Sequence, residues 1–579
     1  MKRTWTERPA DLDAARRLAK DCAVPLLAAR LLVQRGLTGA DEAGRFLSPR
    51  LADLPDPWRL KGMREAAALL ADAVEAGEPV AVLGDYDVDG VTSVTQVMLF
   101  FRALGRPATF HIPHRVHDGY GISASAVARL LSEGVRTFVT VDTGIGEVET
   151  IGRMKARGAR VVVIDHHELG ETLPPADAIV NPHQPGCDFP YQNLAACALT
   201  FYVLSALRRT LLDRGWFKAA GVAAPDLKDT LDLVALGTVA DVVPLTGANR
   251  ILARHGLRRL RALERPGVKS LVEVSTIRTR KIDAGHVSFQ LAPRLNAGGR
   301  VDVADTGVHL LLATDAREAA KLAARLDSLN RERQQLEREA TAAAVAALEA
   351  DPRLAEGGGI VAADAAWHLG VVGIMAGRLA ERFGRPALVL ARDGDGWRGS
   401  GRSVEGFDLV RHLEQGRHLL RTLGGHAFAC GLSVDDARLA ELAEWFRATT
   451  AAALATLPPQ KAAEVDAVAR LADLLDPGFL DAYRELWPFG EGNDRPAFLL
   501  RGVRLTEVLD DRGTSRRLRV VDGDVETTVT FWNGDRAPEV PATVDLVARL
   551  DLFEYRGAEV AGLTAVDVGP VDDDPAPGG

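Results

Sequence analysis

The chain has 579 residues, 47% of them hydrophobic and 26% charged, with a formal net charge of −9 at pH 7. That length exceeds what one core supports and calls for about three or four domains of ordinary globular composition. Four cysteines without C-x-x-C spacing exclude a zinc ribbon and a disulfide framework, no apolar run approaches a membrane span, and nothing at the N-terminus resembles a secretory segment, so a cytoplasmic location is expected.

Residues 78–182 alternate strand and helix. Apolar strands are expected at 80–84, 108–113, 136–142, 160–165 and 178–181, with amphipathic helices at 91–104, 122–133 and 147–157 between them. Such alternation predicts a parallel sheet covered on both faces. Three of its strands end in metal-binding side chains. Val80-Ala81-Val82-Leu83 leads into Gly84-Asp85-Tyr86-Asp87-Val88-Asp89-Gly90, Phe138-Val139-Thr140-Val141 into Asp142-Thr143-Gly144, and Val161-Val162-Val163-Ile164 into Asp165-His166-His167. Parallel sheets bind ligands at the carboxyl ends of their strands, so these ends converge on one site. Helices at 194–214 and 226–263 follow, interrupted at Gly237-Thr238-Val239-Ala240-Asp241.

Asp87, Asp89, Asp142, His166 and Asp241, with Asp85 nearby, form the candidate ligand set. Hard carboxylate oxygens suit Mg²⁺ or Mn²⁺, and an imidazole favours Mn²⁺. So many anionic donors fit two cations sharing a carboxylate better than one, with Asp142 as the bridge. His167 then faces the substrate as a phosphate contact or proton carrier, and Asp165 orients an imidazole. The plainer alternatives are that Asp85 to Asp89 is an N-cap or calcium loop, and that Ala240-Asp241-Val242-Val243-Pro244 is only a turn.

Between Arg250 and Arg300 there are 12 Arg/Lys against 3 Asp/Glu, a stripe fit for phosphates or merely a solvated helix face. Residues 316–350, without Gly or Pro, read as one long interdomain helix. Strands at 359–363 and 386–391 flank a helix at 370–383, followed by glycine-rich patches at Gly399-Ser400-Gly401-Arg402-Ser403 and Gly424-Gly425-His426. Short alternating strands from 497 to 568 predict an OB-like barrel by length and spacing, with a sandwich as the alternative that alternation alone leaves open. The expected fold is therefore multidomain α/β: residues 1–315 a catalytic domain with a helical lead-in, 316–352 the connecting helix, 353–457 a second α/β domain, 458–570 the barrel, and 571–579 a disordered tail.

In this order, Asp87-x-Asp89-Gly90, Asp142, Asp165-His166-His167 and Asp241 resemble the motifs of the DHH phosphoesterase superfamily. Within it the chain is similar to the RecJ family of bacterial single-strand-specific 5′→3′ exodeoxyribonucleases. Trp5, Arg35-Gly36, Phe46-Leu47-x-Pro49, Ile112-Pro113-x-Arg115, Gly119-Tyr120-Gly121, the run from Arg294 to Arg300, Ser400-Gly401-Arg402-Ser403 and Gly424-Gly425-His426 extend the likeness over most of residues 1–450, and the barrel matches the family's OB domain. Superfamily pyrophosphatases carry a histidine where this chain has Leu83; Asp85 is the candidate substitute.

The resemblance implies removal of nucleoside 5′-monophosphates from single-stranded DNA by a two-metal site, Mn²⁺ or alternatively Mg²⁺, in repair and recombination. It implies that Ser400, Arg402, Gly424, Gly425 and His426 of a DHH-associated domain hold the terminal 5′-phosphate. Arg115, Tyr120 and Arg300 would grip neighbouring phosphates or stack on a base. A monomer working with a RecQ-type helicase and a single-strand-binding protein is expected. Two other functions compete: hydrolysis of nano-RNA or cyclic dinucleotides, as in smaller DHH proteins, and a non-catalytic scaffold that has lost the ligands.

Overall fold

The computed structural model describes residues 5–114, 121–279, 281–351, 353, 357–457, 463–555 and 557–571. The β-branched runs pair into one wholly parallel sheet: β1 (Val80–Gly84), β2 (Ala108–His111), β3 (Thr137–Val141), β4 (Arg160–Ile164) and β5 (Ala178–Val180), in the order β2-β1-β3-β4-β5. The strand order reverses at β1, so a crevice opens beyond β1 and β3, where open α/β sheets take ligands. Register sharpens this. Gly84 lies opposite Val141, and Val141 opposite Ile164, so the chain leaves the sheet for Asp85, Asp142 and Asp165 at one level.

Alternate residues of each strand face opposite cores, as a period of two requires. Val80, Val82, Val139, Val141 and Val162 pack under four helices, α1 (Val88–Ala103), α2 (Ala196–Asp213), α3 (Leu231–Ala240) and α4 (Gly247–Ala262). Ala81, Leu83, Phe138, Val161 and Val163 pack against Leu130, Leu131, Ile151 and Met154. At about 1.5–3 kcal/mol per buried aliphatic side chain, this double cover makes the strand ends a rigid platform.

Helix α5 (Ala292–Val301) leads to α6 (Ala316–Ala350), a single helix of 35 residues. Leu326 and Leu329 of α6 join the catalytic core, whereas Ala340 and Ala344 join the core of the next lobe, so it is an interdomain strut. That lobe holds β6 (Ile360–Asp364), α7 (Val372–Phe383), β7 (Ala387–Asp393), β8 (Gly396–Arg402), β9 (Thr422–His426) and β10 (Ala429–Asp435), in the order β9-β10-β8-β7-β6. Here the structure departs from the sequence reading. The glycine-rich patches, placed after the last expected strand of this lobe, are themselves strand, and Gly399, Gly401 and Gly425 let neighbouring strands and side chains crowd in.

The last body is a barrel of β11 (Ala497–Asp511), β12 (Arg516–Asp522), β13 (Val525–Phe531), β14 (Ala542–Tyr555) and β15 (Ala558–Gly569), closed by pairing of β11 with β14. Its core is shared with the N-terminal helices. Leu18, Leu31, Leu32 and Phe46 pack in one cluster with Phe479, Phe498 and Leu546. The strand Trp5–Glu7 pairs in parallel with Ala463–Val465, and the Trp5 indole donates to Asp567. No helix among the described residues is long and apolar enough to cross a membrane.

Candidate active site

The crevice at the switch point gathers all the side chains picked out as ligands. Single ligand atoms of Asp142, His166 and His167 lie within 4.8 Å of one another; so do those of Asp89, His166 and Asp241, and those of Asp85, Asp87 and Asp142. Asp142 and His166 each belong to two of these triads, the connectivity that two adjacent cations with shared donors require. His166 Nε2 stands 3.2 Å from Asp142 Oδ1 and 3.9 Å from Asp89 Oδ2, while its Nδ1 stands 3.7 Å from Asp241 Oδ2.

The ligands sit at the ends of a few elements. Asp87 is the N-cap of α1, its Oδ1 accepting from Asp89 N and Gly90 N, so the N-cap alternative and the ligand reading describe the same residue. Asp142 leaves β3 with φ +60°, a left-handed conformation costly for a residue with a side chain and met most often at functional sites. Asp241 is the C-cap of α3. Buried Asp165 accepts from Ile145 N, His166 N and His167 Nδ1, the last at 2.7 Å, and so orients the second imidazole from behind.

Several positioning groups escaped the sequence reading. Asp89 accepts from Ala196 N at 2.6 Å and Cys197 N at 2.8 Å, the positive N-terminus of α2 aimed at a buried carboxylate. Gly237 packs behind it, where a Cβ would stand 2.8 Å from Asp89 Oδ1. Asn181 Nδ2 donates to the His167 carbonyl. Backbone donors and amides carry no pattern of their own; the glycine at the break in the 226–263 segment was the one available signal.

Electrostatics fit a divalent cation. Burial pushes the Asp142 carboxyl well above the usual carboxylate range, and the charges of Asp87, Asp89, Asp85 and Asp241 push it further. Burial likewise raises Asp89, and raises Asp241 to about 9 together with Asp89 and Asp87. Such crowding is unfavourable without positive charge among the carboxylates. His166 Nε2 and Asp241 Oδ2 are buried without a hydrogen-bond partner, and burial holds the His166 imidazole below its ordinary value, in the neutral form that ligates metal. His167 goes the other way: burial opposes its charge, but the Asp165 hydrogen bond and the carboxylates of Asp165, Asp85 and Asp87 raise it overall.

Across from the metal centre lies a cavity of about 480 Å³ between Tyr86 and the second lobe, lined among others by Gly373, Arg398, Ser400, Arg402, Gly425 and His426. Arg402 Nη1 donates to Ser400 Oγ and Ser400 Oγ to the Cys430 carbonyl, while the N-terminal turn of α7 closes one end. Gly424 is exposed and lies outside this lining. Arg300 is also outside it, and donates to the Gly370 carbonyl. Arg115 and Tyr120 fall outside the described residues.

The basic stripe divides. Arg250 is buried and donates to the carbonyls of Phe46, Glu485, Leu486 and Trp487, tying the catalytic domain to the lead-in and the barrel approach. Arg265 pairs with Asp232, and Arg294 with Asp327. Arg258, Arg261 and Lys281 instead line a groove of about 950 Å³ shared with barrel residues Arg517, Trp532 and Arg549.

A sheet whose switch point carries carboxylates and paired histidines, faced by a lobe that presents Arg398, Arg402 and His426, defines a phosphoesterase of the DHH type. The DHH family N-terminal domain matches residues 79–238, the DHHA1 domain residues 356–452 and the RecJ OB domain residues 465–567. The chain belongs to the RecJ family. It is 37% identical to the single-stranded-DNA-specific exonuclease RecJ of Salmonella typhimurium, over 99% of this chain and 100% of that one, and 36% identical to that of Escherichia coli, over 99% of each. RecJ of Thermus thermophilus in complex with Mn²⁺ superposes with a TM-score of 0.80 at 31% identity, covering 98% of this chain and 80% of that one; its Mg²⁺ complex gives 0.75 at 30%, covering 100% and 80%. The donor set here fits either ion.

Proposed function

We infer that this chain is a metal-dependent exonuclease specific for single-stranded DNA, acting from the 5′ end and releasing nucleoside 5′-monophosphates. One observation carries the reading: an acidic centre with shared donors faces, across one cleft, a cavity walled by Arg402, Ser400, His426 and the N-terminus of α7. A terminal 5′-phosphate suits that cavity in charge and hydrogen bonding. Only a strand end can fill it while the next phosphodiester reaches the carboxylates, which sets the polarity.

Two cations held by Asp85, Asp87, Asp89, Asp142, His166 and Asp241 would supply Lewis acidity at the scissile phosphate. Water attacks that phosphorus, its bond to the 3′-oxygen of the terminal nucleoside breaks, and the oxygen leaves with a proton. His167, whose charged form the Asp165 carboxylate favours, is the group placed to contact the phosphate or deliver that proton. The shortened strand ends in a new 5′-phosphate and can refill the cavity, which favours processive action.

The groove beside the barrel supports a path for the strand behind the cleft. Arg258, Arg517 and Arg549 line it together, and Trp532 at its edge is 71% exposed. Cations and aromatic faces bind single strands without reading sequence. The same reading brings a cytoplasmic monomer that works beside a RecQ-type helicase and a single-strand-binding protein, which sizing chromatography and pull-down with each purified partner would check. The test of the activity is a strand of about 60 nucleotides, long enough to fill cleft and groove together, labelled internally, with and without a complementary strand. The expected products are mononucleotides from the unpaired strand alone, appearing from the 5′ side; release of oligonucleotides would mean internal cleavage and overturn the reading, and cleavage of an added dinucleotide only would favour the nano-RNA hydrolase.

A further inference from the structure

Helix α5 supplies none of the candidate ligands, yet it touches three parts that surround them. Asn296 Oδ1 accepts from Val88 N at 3.1 Å. Val88 is the first residue of α1, between Asp87 and Asp89, and its N–H is one of the first-turn donors that no intrahelical carbonyl satisfies. Asp87 occupies the next two N–H groups, so the loop is held from within by its own cap and from outside by Asn296. One turn further along α5, Gly299 faces the same loop; a Cβ there would stand 2.8 Å from the Tyr86 carbonyl oxygen and 3.1 Å from its Cβ. Residues three and four apart share a helix face, so Asn296, Gly299 and Arg300 form one edge turned toward the cleft.

The helix is anchored near both of its ends. Arg294 Nε donates to buried Asp327 of α6 at 2.9 Å, and Arg300 Nη1 donates to the Gly370 carbonyl just before α7 at 3.2 Å. The helix is therefore a fixed bracket between the strut and the second lobe, and the side-chain acceptor it offers to the metal loop is Asn296.

We propose that Asn296 is a positioning residue for the cation-binding loop. Its amide oxygen fixes the Val88 N–H and thereby the directions in which Asp85 and Asp87 present their carboxylates, while Gly299 leaves room for the Tyr86 backbone. This rests on the metal reading above and gives Asn296 and Gly299 a task in a run of which only Arg300 had one, as a phosphate or base contact. Carboxylates of one charge repel, and a loop free to relax would spread them. Groups that hold metal ligands in place are typically worth about 10–100-fold in metal affinity.

The test is a titration of the full chain with Mn²⁺ alone, without DNA, following the free-ion signal by electron paramagnetic resonance. Unsubstituted protein and Asp142→Ala come first. Tight binding that Asp142→Ala weakens upholds the metal reading; absent that, both the reading and this proposal fall. Asn296→Ala is then expected to weaken Mn²⁺ binding by about 10–100-fold. Asn296→Asp, which keeps an acceptor oxygen in place, restores it to within about threefold. Gly299→Ala, which displaces the Tyr86 backbone, weakens it as well. Single-strand affinity in EDTA is unchanged in all three. Mn²⁺ affinity of Asn296→Ala equal to the unsubstituted chain, or loss in Asn296→Asp as large as in Asn296→Ala, overturns the proposal. Should Asn296→Ala fail to fold, the Asn296→Asp and Gly299→Ala pair decides: weakened binding in Gly299→Ala alone supports it, and unchanged binding in Gly299→Ala overturns it.

Discussion

The two walls of the cleft are built on opposite principles. The catalytic wall is acidic and largely buried and is assembled from residues up to 156 positions apart, from Asp85 to Asp241, delivered by the β1–α1 junction, the ends of β3 and β4 and the end of α3. The lobe wall is basic and open and is assembled from neighbouring strands, β8 and the β9–β10 hairpin. Chemistry at phosphorus needs donors locked against their mutual repulsion, so burial and outer hydrogen bonds surround them. Capture of a terminal phosphate, the task proposed for the lobe wall, needs access, and charge-assisted hydrogen bonds near solvent would supply it.

That contrast is most sharply broken by removing one residue from each wall. Asp142→Ala is expected to cut turnover of a 5′-phosphorylated strand by roughly 10²–10³-fold or more while leaving strand affinity, read by fluorescence anisotropy, within about threefold. Arg402→Ala is expected to lower kcat/KM by about 10–100-fold, with a far smaller loss on a strand ending in a 5′-hydroxyl. Equal losses on the two ends would remove Arg402 from phosphate capture. Away from both walls, Trp532→Ala should weaken binding of strands long enough to reach the barrel by about fivefold, one modest base stack, and leave dinucleotide cleavage untouched.

The smallest effect is a pH dependence confined to the acidic wall. Asp89, Asp142 and Asp241 have carboxyl groups raised in the folded chain, Asp241 to about 9. Raised acids favour folding below the unfolded value near 4 and lose that contribution as pH climbs toward the folded value. These three groups therefore contribute less to the stability of the cation-free chain as pH rises from about 4 toward about 9, and cation binding must displace protons. The melting temperature gained on adding Mn²⁺ should grow by a few degrees between about pH 6 and pH 9. A gain independent of pH would place the cations elsewhere.

Much of the acidic wall was legible because parallel strands leave their last residues at one level, so Asp85, Asp142 and Asp165 could be paired from spacing alone. The helix-borne partners of Asp89 were not, since Ala196 and Cys197 contribute only backbone N–H groups. The lobe wall was half legible: its glycines stood out, but their use in letting strands crowd together looks the same in sequence as a turn. Arg250 was misread within the basic stripe, because a charge count cannot separate a guanidinium buried among carbonyls from one facing solvent. The core shared by the lead-in and the barrel was equally hidden, as helical periodicity says which face is apolar but not what covers it.

That shared core bears on how the molecule is made. Leu18, Leu31, Leu32 and Phe46 leave the ribosome early, yet Phe479, Phe498 and Leu546, which cover them, are synthesised about 400 residues later. At about 5–20 residues per second the interval is roughly 20–80 s. During it an apolar helical surface waits beside a catalytic domain that has already folded, so the nascent chain should bind holding chaperones most strongly through its first fifty residues.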